Sequence, residues 1–429
     1  MKLELNWVGK EYVKNFNYNA IQYNIDEDIE HNNLPDNCNS ENLMFIGDNL
    51  KVLKYLQNNF KNKIKMIYID PPYNTRTDKI YNDNFILTID DIKLYCNVSD
   101  KEAKKILRNI DIYTKTHSAW LNFMYLRLML AKDLLKDDGV IFISIDDKEQ
   151  ANLKLLCDEI FGGENFVTQL VWSTKKSAQG LHTKNLVISN HEYILIYAKN
   201  IKAFKFLGIN REDKTFSNPD NDKRGLWKRQ YLQRFGHNFP IRTLIDPETN
   251  ISYYFETPYT QEKLDQWLKE NKIIFPKNGR GYPIKKEFLN EYKYRQQVVT
   301  YLGLFSSKVA TQKLYKIFNN LKIFRSPKPI DLIKFLIKIT TQDNDIILDF
   351  FVGSGTTGHA IIETNIEDKS NRKFILCQID EEIKDENIKK EFKTIADICI
   401  ERLKRVSSNY KKDIFIYNKD LGFKIFKIN

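Results

Sequence analysis

Asp70-Pro71-Pro72-Tyr73 is the stretch whose groups could do chemistry. Proline has no N–H, so the Pro71 carbonyl stands beside the Asp70 carboxylate as a second acceptor with no donor competing between them. Two adjacent acceptors suit an NH2 group. Tyr73 adds a flat face on which a planar ring can stack, which points to a heteroaromatic amine such as a nucleobase amino group. The alternative is a strand that simply ends in a Pro-Pro turn. A second stretch, Gly353-Ser354-Gly355-Thr356-Thr357-Gly358, can bring backbone N–H groups close to an anionic ligand if a strand runs into it and a helix leaves it. Otherwise it is a tight turn. Gln378 or Asp380, about 20 residues further on, is the candidate to meet a ribose. Asp48, after Gly47, is either a ligand-facing carboxylate or a helix N-cap.

Hydrophobic periodicity gives the elements that must position these groups. Met66-Ile67-Tyr68-Ile69 reads as a buried parallel strand stopped by the two prolines. Leu43-Met44-Phe45-Ile46 reads as another, and Leu50, Leu53, Leu56 and Phe60 share one face of a helix over 49–60. A strand, helix and parallel strand form a right-handed unit, so Asp48 and Asp70 fall at carboxyl ends of one sheet, where open α/β folds bind ligands. Residues 74–115, polar and carrying Tyr81, read as a long lid or substrate clamp. Helical spacing returns from Ser118 to Leu135, and 140–145 is the next strand. A helix over 152–160 and strands over 166–172 and 192–198 follow, with the polar stretch 173–190 between the two strands, which places Trp172 to Gly180 near the sheet's rim. After a break in the rhythm, a helix through Leu332, Phe335, Leu336 and Ile339 leads to a strand over 346–351 and the glycine stretch. A strand over 373–379, a helix over 388–406 and a strand-turn-strand over 413–428 complete the chain.

At 429 residues, 42% apolar and 29% charged, the composition is that of a globular protein with two domains or one large insertion. Neither a signal peptide nor an apolar run of membrane-spanning length is found, so no membrane partner and a cytoplasmic location are expected. Five scattered cysteines without a Cys-x-x-Cys pair and six dispersed histidines fit reduced thiols and no metal site. The net charge is +11. Residues 173–325 hold 28 Lys+Arg and 13 Asp+Glu, a net of +15 that leaves −4 for the rest. A phosphate-binding surface is preferred to a merely solvated one because Trp227, Tyr231, Tyr253, Tyr254, Trp267, Tyr292 and Tyr294 are interleaved there. Lys175, Lys176, Lys223, Arg224, Lys228 and Arg229 are the candidate DNA contacts. The expected domains are a loosely packed arm (1–40), a catalytic half (41–199), an inserted target-recognition domain (200–325), a cofactor-binding half (326–410) and a C-terminal β-hairpin (411–429).

The glycine stretch is neither a Gly-x-x-x-x-Gly-Lys phosphate loop nor a Gly-x-Gly-x-x-Gly dinucleotide fingerprint. That leaves a nucleoside-bearing cofactor with a carboxylate, which suits S-adenosyl-L-methionine. An exocyclic amine needs little activation to take a methyl group from a sulfonium, so positioning supplies most of the rate. A base in duplex DNA must first be flipped out.

Asp-Pro-Pro-Tyr preceding Phe-x-Gly-x-Gly resembles the β class of DNA amino-methyltransferases. Further stretches resemble the modification (Mod) subunit of type III restriction-modification systems: Gly47-Asp48-Asn49-Leu50, 70–75, His117-Ser118-Ala119-Trp120-Leu121-Asn122, 138–147, Phe161-Gly162-Gly163-Glu164-Asn165-Phe166, 191–199, Pro327-Lys328-Pro329 and Thr394-Ile395-Ala396-Asp397. The resemblance implies a Rossmann-like methyltransferase sheet, circularly permuted, with the recognition domain inserted. It implies methylation of adenine N6 in double-stranded DNA, with Asp70, Pro71, Pro72 and Tyr73 at the target amine. Asp349, Phe351, Gly353, Gly355 and Thr356 would hold the cofactor's amino-acid part, Lys328 and Pro329 would open the flanking helix, Asp48 would lie near its adenine and Gln378 near its ribose. Members of the family work as dimers and join a restriction (Res) subunit. Related methyltransferases often carry Glu where Gln378 stands, and the family's chains usually continue past the part resembling 421–428. Cytosine-N4 methylation and an inactive DNA-binding subunit are the rival readings.

Overall fold

The apolar runs become the central strands of a ten-stranded sheet because each is too uniformly apolar to leave either face in water. The computed structural model describes residues 5–74, 89–96, 98–110, 116–176, 187–210, 215–236, 238–276, 279–292, 295–411 and 420–429. The strands are β1 (Ile25–Glu27), β2 (Leu43–Gly47), β3 (Ile64–Ile69), β4 (Leu135–Ile145), β5 (Phe166–Ser173), β6 (His191–Ala198), β7 (Tyr301–Leu304), β8 (Ile346–Asp349), β9 (Lys373–Gln378) and β10 (Lys424–Ile428). They lie in the order β1-β10-β2-β9-β8-β3-β4-β6-β5-β7. Pairing is parallel from β10 to β4, while β6 runs against both β4 and β5.

From β3 the chain winds towards β4; from β8 it winds the other way, towards β9. The order therefore reverses between β8 and β3, and a crevice opens outside their carboxyl ends. Right-handed crossovers running in opposite directions put their helices on opposite faces. Accordingly α1 (Asn49–Phe60) packs on α2 (His117–Leu134) and α2 on α3 (Gln150–Cys157), whereas α4 (Ile330–Thr340) packs on α5 (Thr356–Asp368) and α5 on α6 (Ile395–Lys411). Local caps set where these helices begin. Thr116 accepts from the Ala119 N–H to start α2. Thr394 and Asp397 exchange side-chain and backbone bonds at the start of α6, a reciprocal cap that starts it later than the periodicity predicts.

Several expectations need correction. Part of the patternless connection 74–115 is helical, at Ile89–Cys96 and Asp100–Ile110; Tyr81 lies outside the described residues. β4 begins at Leu135, five residues before the apolar run, with an irregular register against β3. Residues 5–40 are no loose arm. Trp7, Val13, Phe16 and Ile21 are buried in the core, and β1 pairs antiparallel with β10. β10 is not half of a hairpin either: β1 and β2 occupy both of its edges. The alternation over 424–428 comes from a strand added to the main sheet.

The chain forms two compact units, Met1–Leu207 with Val298–Asn429, and Gly208–Gln297. The second unit is narrower than the break at 200–325 suggests, because β7 returns the chain to the main sheet. It has a two-stranded sheet, Ile241–Ile245 with Ser252–Glu256, and a three-stranded one in the order Ile273–Ile274, Ile284–Phe288, Trp227–Tyr231. Leu232, Leu244, Tyr253, Phe255, Leu264 and Trp267 form its core. Trp227, Tyr253 and Trp267 are thus buried structural aromatics, while Tyr231 and Tyr254 are exposed; Tyr294 lies outside the described residues.

Asn32 ties the two ends of the chain together. Its buried amide donates to the Ile425 carbonyl at 3.0 Å and accepts from the Ile425 N–H at 2.7 Å. Asn32→Ala should lower the unfolding free energy by about 2–4 kcal/mol, since it strips buried backbone groups of their partner. Urea denaturation checks this, and a change under about 0.5 kcal/mol, the scale of an ordinary surface substitution, would show that the ends are not tied through Asn32.

Candidate active site

β3 is buried along its whole length, and Asp70 follows it directly at the crevice. Asp70 Oδ2 accepts from Lys328 Nζ at 2.9 Å. Asp70 Oδ1 is buried and has no hydrogen-bond partner among the described residues. An orphaned carboxylate oxygen is costly unless a ligand donor meets it. Trp120, on α2, donates its indole N–H to the Pro72 carbonyl at 2.7 Å and so fixes the Pro-Pro turn. Pro71 is buried beside it. Tyr73 donates to Glu192 Oε2 at 3.2 Å, and the Lys328 ammonium lies 4.9 Å from its ring centroid. Burial first, then Asp70 and Glu192, push the Tyr73 phenol well above its ordinary range, so it stays neutral. Asn74, with a left-handed φ of 55°, ends the turn by donating to Glu149 Oε1 at 2.7 Å. Buried Glu149 also holds His117 and Asn152.

Lys328 therefore lies with Asp70 at the end of β3. The resemblance assigned it to the cofactor's flank, but its chain reaches across to the end of β3, with a side chain 11% exposed. Burial pulls its ammonium down, yet Asp70 and Glu192 outweigh that and hold it above its ordinary value. Pro329 stays where expected, capping α4.

On the other side of the crevice, β8 ends at Asp349 and the chain turns through Gly353 (φ 57°) and Gly355 (φ 84°) into α5. Left-handed φ values favour glycine at both. A Cβ at Gly355 would also stand 3.0 Å from Cys399 Sγ, so this glycine lets α6 come close. Asp349 Oδ1 accepts from the Phe351 N–H at 2.9 Å and Oδ2 from the Thr357 hydroxyl at 2.5 Å. Burial pushes its carboxyl up to about 7 against those bonds. Gln378, at the end of β9, accepts from the Gly353 N–H at 2.7 Å. Asp48 caps α1 through the Leu50 N–H at 2.6 Å and keeps Oδ2 at 3.5 Å from Arg127. Capping and a place at the rim are thus both true of Asp48. Asp48, Gln378 and the glycine turn follow three adjacent parallel strands.

Arg402, from α6, holds the turn from behind, donating to the Ser354 carbonyl, the Ser354 hydroxyl and the Thr356 hydroxyl, each at 3.0 Å. That takes up Thr356's hydroxyl and leaves the α5 backbone, which has no side-chain cap, to face a ligand. The donor set fits S-adenosyl-L-methionine: uncapped helix N–H groups for a carboxylate, carboxylates and an amide for the hydroxyls, and the Phe351 ring, backed by Phe123 at 5.8 Å, for apolar contact. Trp120, Glu149, Glu192 and Arg402 were missed as site residues. Trp120 and Glu192 lay inside stretches the resemblance had marked; Arg402 carried no sequence signal.

The candidate DNA contacts divide. Lys223 and Arg229 are exposed, as is Lys176, and Lys175 is half-buried. Arg224 instead pairs with Asp222 at 2.7 Å and donates to the Glu270 and Asn271 carbonyls. Lys228 lies 3.5 Å from Glu287 and 3.8 Å from the Tyr292 ring centroid. These two are structural. Of the charge excess of +15, only +5 (17 minus 12) is the second unit's own. Residues 208–297 have 17 Lys+Arg against 12 Asp+Glu, whereas 298–325 have five and none. Within that last stretch Lys308, Lys316, Lys322 and Arg325 are exposed.

A family profile described as DNA methylase matches residues 64–391. The chain is 36% identical over 437 residues to the type III restriction-modification enzyme StyLTI Mod subunit of Salmonella typhimurium, covering 99% of this chain and 66% of that protein. It is 33% identical over 470 residues to the EcoP15I Mod subunit of Escherichia coli, covering 99% and 71%. It is 30% identical over 433 residues to the type II methyltransferase M.KpnI of Klebsiella pneumoniae, covering 95% and 96%. The chain thus spans about two thirds of the modification subunits it matches.

Asp349 generates a test of pH dependence. Its folded carboxyl titrates at about 7 against an ordinary 3.8, so the folded chain holds a proton that the unfolded chain releases. Its contribution to stability therefore falls as pH rises from about 4 to about 7. Asp349→Asn should gain on the parent protein across that window, with urea midpoints at pH 4.5 and 7.5 as the measurement. Equal gains at both pH values would show that this carboxyl is not the group titrating.

Proposed function

Because the chain belongs to the DNA methylase family, in its branch of type III modification subunits, we propose that it transfers a methyl group from S-adenosyl-L-methionine to adenine N6 in double-stranded DNA. The observation that carries this reading is Asp70 Oδ1, a buried acceptor without a partner among the described residues, at the reversal of strand order beside the glycine turn. Asp349, Phe351, Gly353, Gly355, Gln378 and Asp48 would hold the cofactor, which when bound supplies an electrophilic methyl on a sulfonium. Asp70 Oδ1 accepts one N–H of the target amine and turns the nitrogen lone pair towards the turn; the Pro71 carbonyl is the second acceptor. As the new N–C bond forms, the nitrogen sheds a proton, and Asp70 is the base in reach. Tyr73 offers a ring for a flipped-out base. A second copy of the chain and, for cleavage, a separate restriction subunit are its proposed protein partners.

Incubation with unmethylated genomic DNA and labelled cofactor, followed by nucleoside analysis, should give N6-methyladenine; N4-methylcytosine alone, or no label, overturns the reading. Asp70→Asn should lower kcat by about 10³-fold, in the range of a lost general base, while calorimetry finds cofactor affinity unchanged. Retained turnover would remove Asp70 from the reaction.

DNA affinity should depend on exposed cations in both units. Replacing Lys308, Lys316, Lys322 and Arg325 by Gln should flatten the slope of log affinity against log salt by about 0.9 for each phosphate that is no longer neutralised, and so should Lys223→Gln with Arg229→Gln. An unaltered slope in either set places the phosphate-binding cations elsewhere.

A further inference from the structure

Glu192 is the second residue of β6, and β6 is the strand that runs against its neighbours. Its N-terminal end therefore lies where β4 finishes, with Tyr193 paired to Ile145, and so beside the carboxyl ends that carry the site. Glu192 Oε2 accepts from the Tyr73 hydroxyl at 3.2 Å and lies 3.4 Å from Lys328 Nζ. Lys328 Nζ in turn donates to Asp70 Oδ2 at 2.9 Å. Across the strand pair Glu192 faces Trp172, and directly opposed residues share a face of the sheet; Trp172 is fully buried, while the Glu192 side chain keeps 22% exposure.

An ammonium carries three donors and, nearly buried, must find acceptors for them. With Glu192 present, Lys328 divides its donors between two carboxylates. Without it, the freed donor has the other oxygen of the same Asp70 carboxylate open to it, Oδ1, the oxygen on which the target amine depends. Tyr73 would at the same time lose the acceptor that fixes its hydroxyl. We infer that Glu192 is a positioning residue of the acceptor site, which keeps Asp70 Oδ1 open for the target amine by sharing Lys328 with Asp70, and keeps the Tyr73 ring in place. This rests on the adenine-methylation reading. The titratable groups around the cluster are Tyr68 and Tyr73 with Asp70 on β3 and its end, Asp146 after β4, Glu192 on β6 and Asp349 after β8.

The test uses the full chain and the variants Glu192→Gln, Glu192→Asp and Tyr73→Phe. Glu192→Gln keeps size and loses charge; its cofactor affinity, read by calorimetry with S-adenosyl-L-methionine, should match the parent, which certifies the fold. Its kcat on unmethylated genomic DNA should fall by about 10²-fold, the scale of a small misplacement. Its KM for DNA should stay within about twofold, so that the loss falls on kcat, as for a misplaced acceptor rather than a damaged DNA surface. Glu192→Asp should restore part of the rate. Tyr73→Phe should lower kcat by less than Glu192→Gln, since it leaves the Lys328 ion pairs intact. Parent-like kcat in Glu192→Gln would overturn the inference. NMR of the Lys328 side chain, with Lys328→Arg for assignment, needs no turnover: if the parent protein methylates nothing, the proposed function fails, while an unchanged Lys328 chemical shift in Glu192→Gln overturns this inference separately.

Discussion

Parallel pairing of β3 with β8 is the constraint from which the rest follows. Leu348 pairs with Ile67, so two segments from opposite halves of the sequence end side by side. The chain winds away from this pair in both directions, which opens a crevice outside their carboxyl ends. One lip then carries Asp70 and the Pro-Pro turn, the other Asp349 and the glycine turn. Because parallel strands share a direction, all of these lie at one edge of the sheet. A methyl donor held on one lip and an amine held on the other would meet there.

Each lip is stiffened by a buried polar network, and the two networks do different work. On the glycine side, burial pulls Arg402 down to about 10 and His359 down to about 4. His359 is thus neutral, its Nδ1 accepting from Arg402 at 3.3 Å and its Nε2–H donating to Glu363 at 3.0 Å. Burial would raise Glu363, but His359 and Lys334 hold it down to about 2. Donor meets acceptor at each step from Arg402 through His359 to Glu363, which fixes the turn from behind. Buried ion pairs add little net stability and much geometric definition. On the Asp70 side the match is incomplete: among the described residues Asp70 Oδ1 and Asn74 Oδ1 are buried without a hydrogen-bond partner. The difference between a closed network and one with an open acceptor separates a scaffold from a site.

Charge in this protein is spread by a different logic from the one composition suggests. In the second unit, cations meet local anions: Asp220 and Asp222 take Lys286, Asp222 takes Arg224, and Glu270 and Glu291 take Lys272. Such pairs neutralise the surface they occupy. The acid-free stretch after it, by contrast, returns to the main sheet through β7 and the helix Ser307–Ile317, and leaves its cations exposed. A count of charges along a sequence cannot distinguish these two cases, because pairing is decided by which residues the fold brings within about 4 Å.

The sequence by itself determined the elements and the chemistry that sits at their ends. Apolar runs of four to six residues named β2, β3, β4, β8 and β9, since uniform hydrophobicity is a local property that only a doubly covered strand satisfies. Proline and glycine marked the two turns for reasons equally local, a missing N–H and a left-handed φ. What only the tertiary structure decided is which side chain answers which. Lys328 reaches Asp70 across 258 residues, Trp120 pins Pro72, Glu192 meets Tyr73, and Arg402 lies behind the glycine turn; nothing in the spacing of these residues announces those meetings. The arm and the tail belong here too. Asn32 and β10 read as polar or alternating surface until the sheet brings them together, because strand pairing between distant segments depends on register, and register is a property of the assembled sheet.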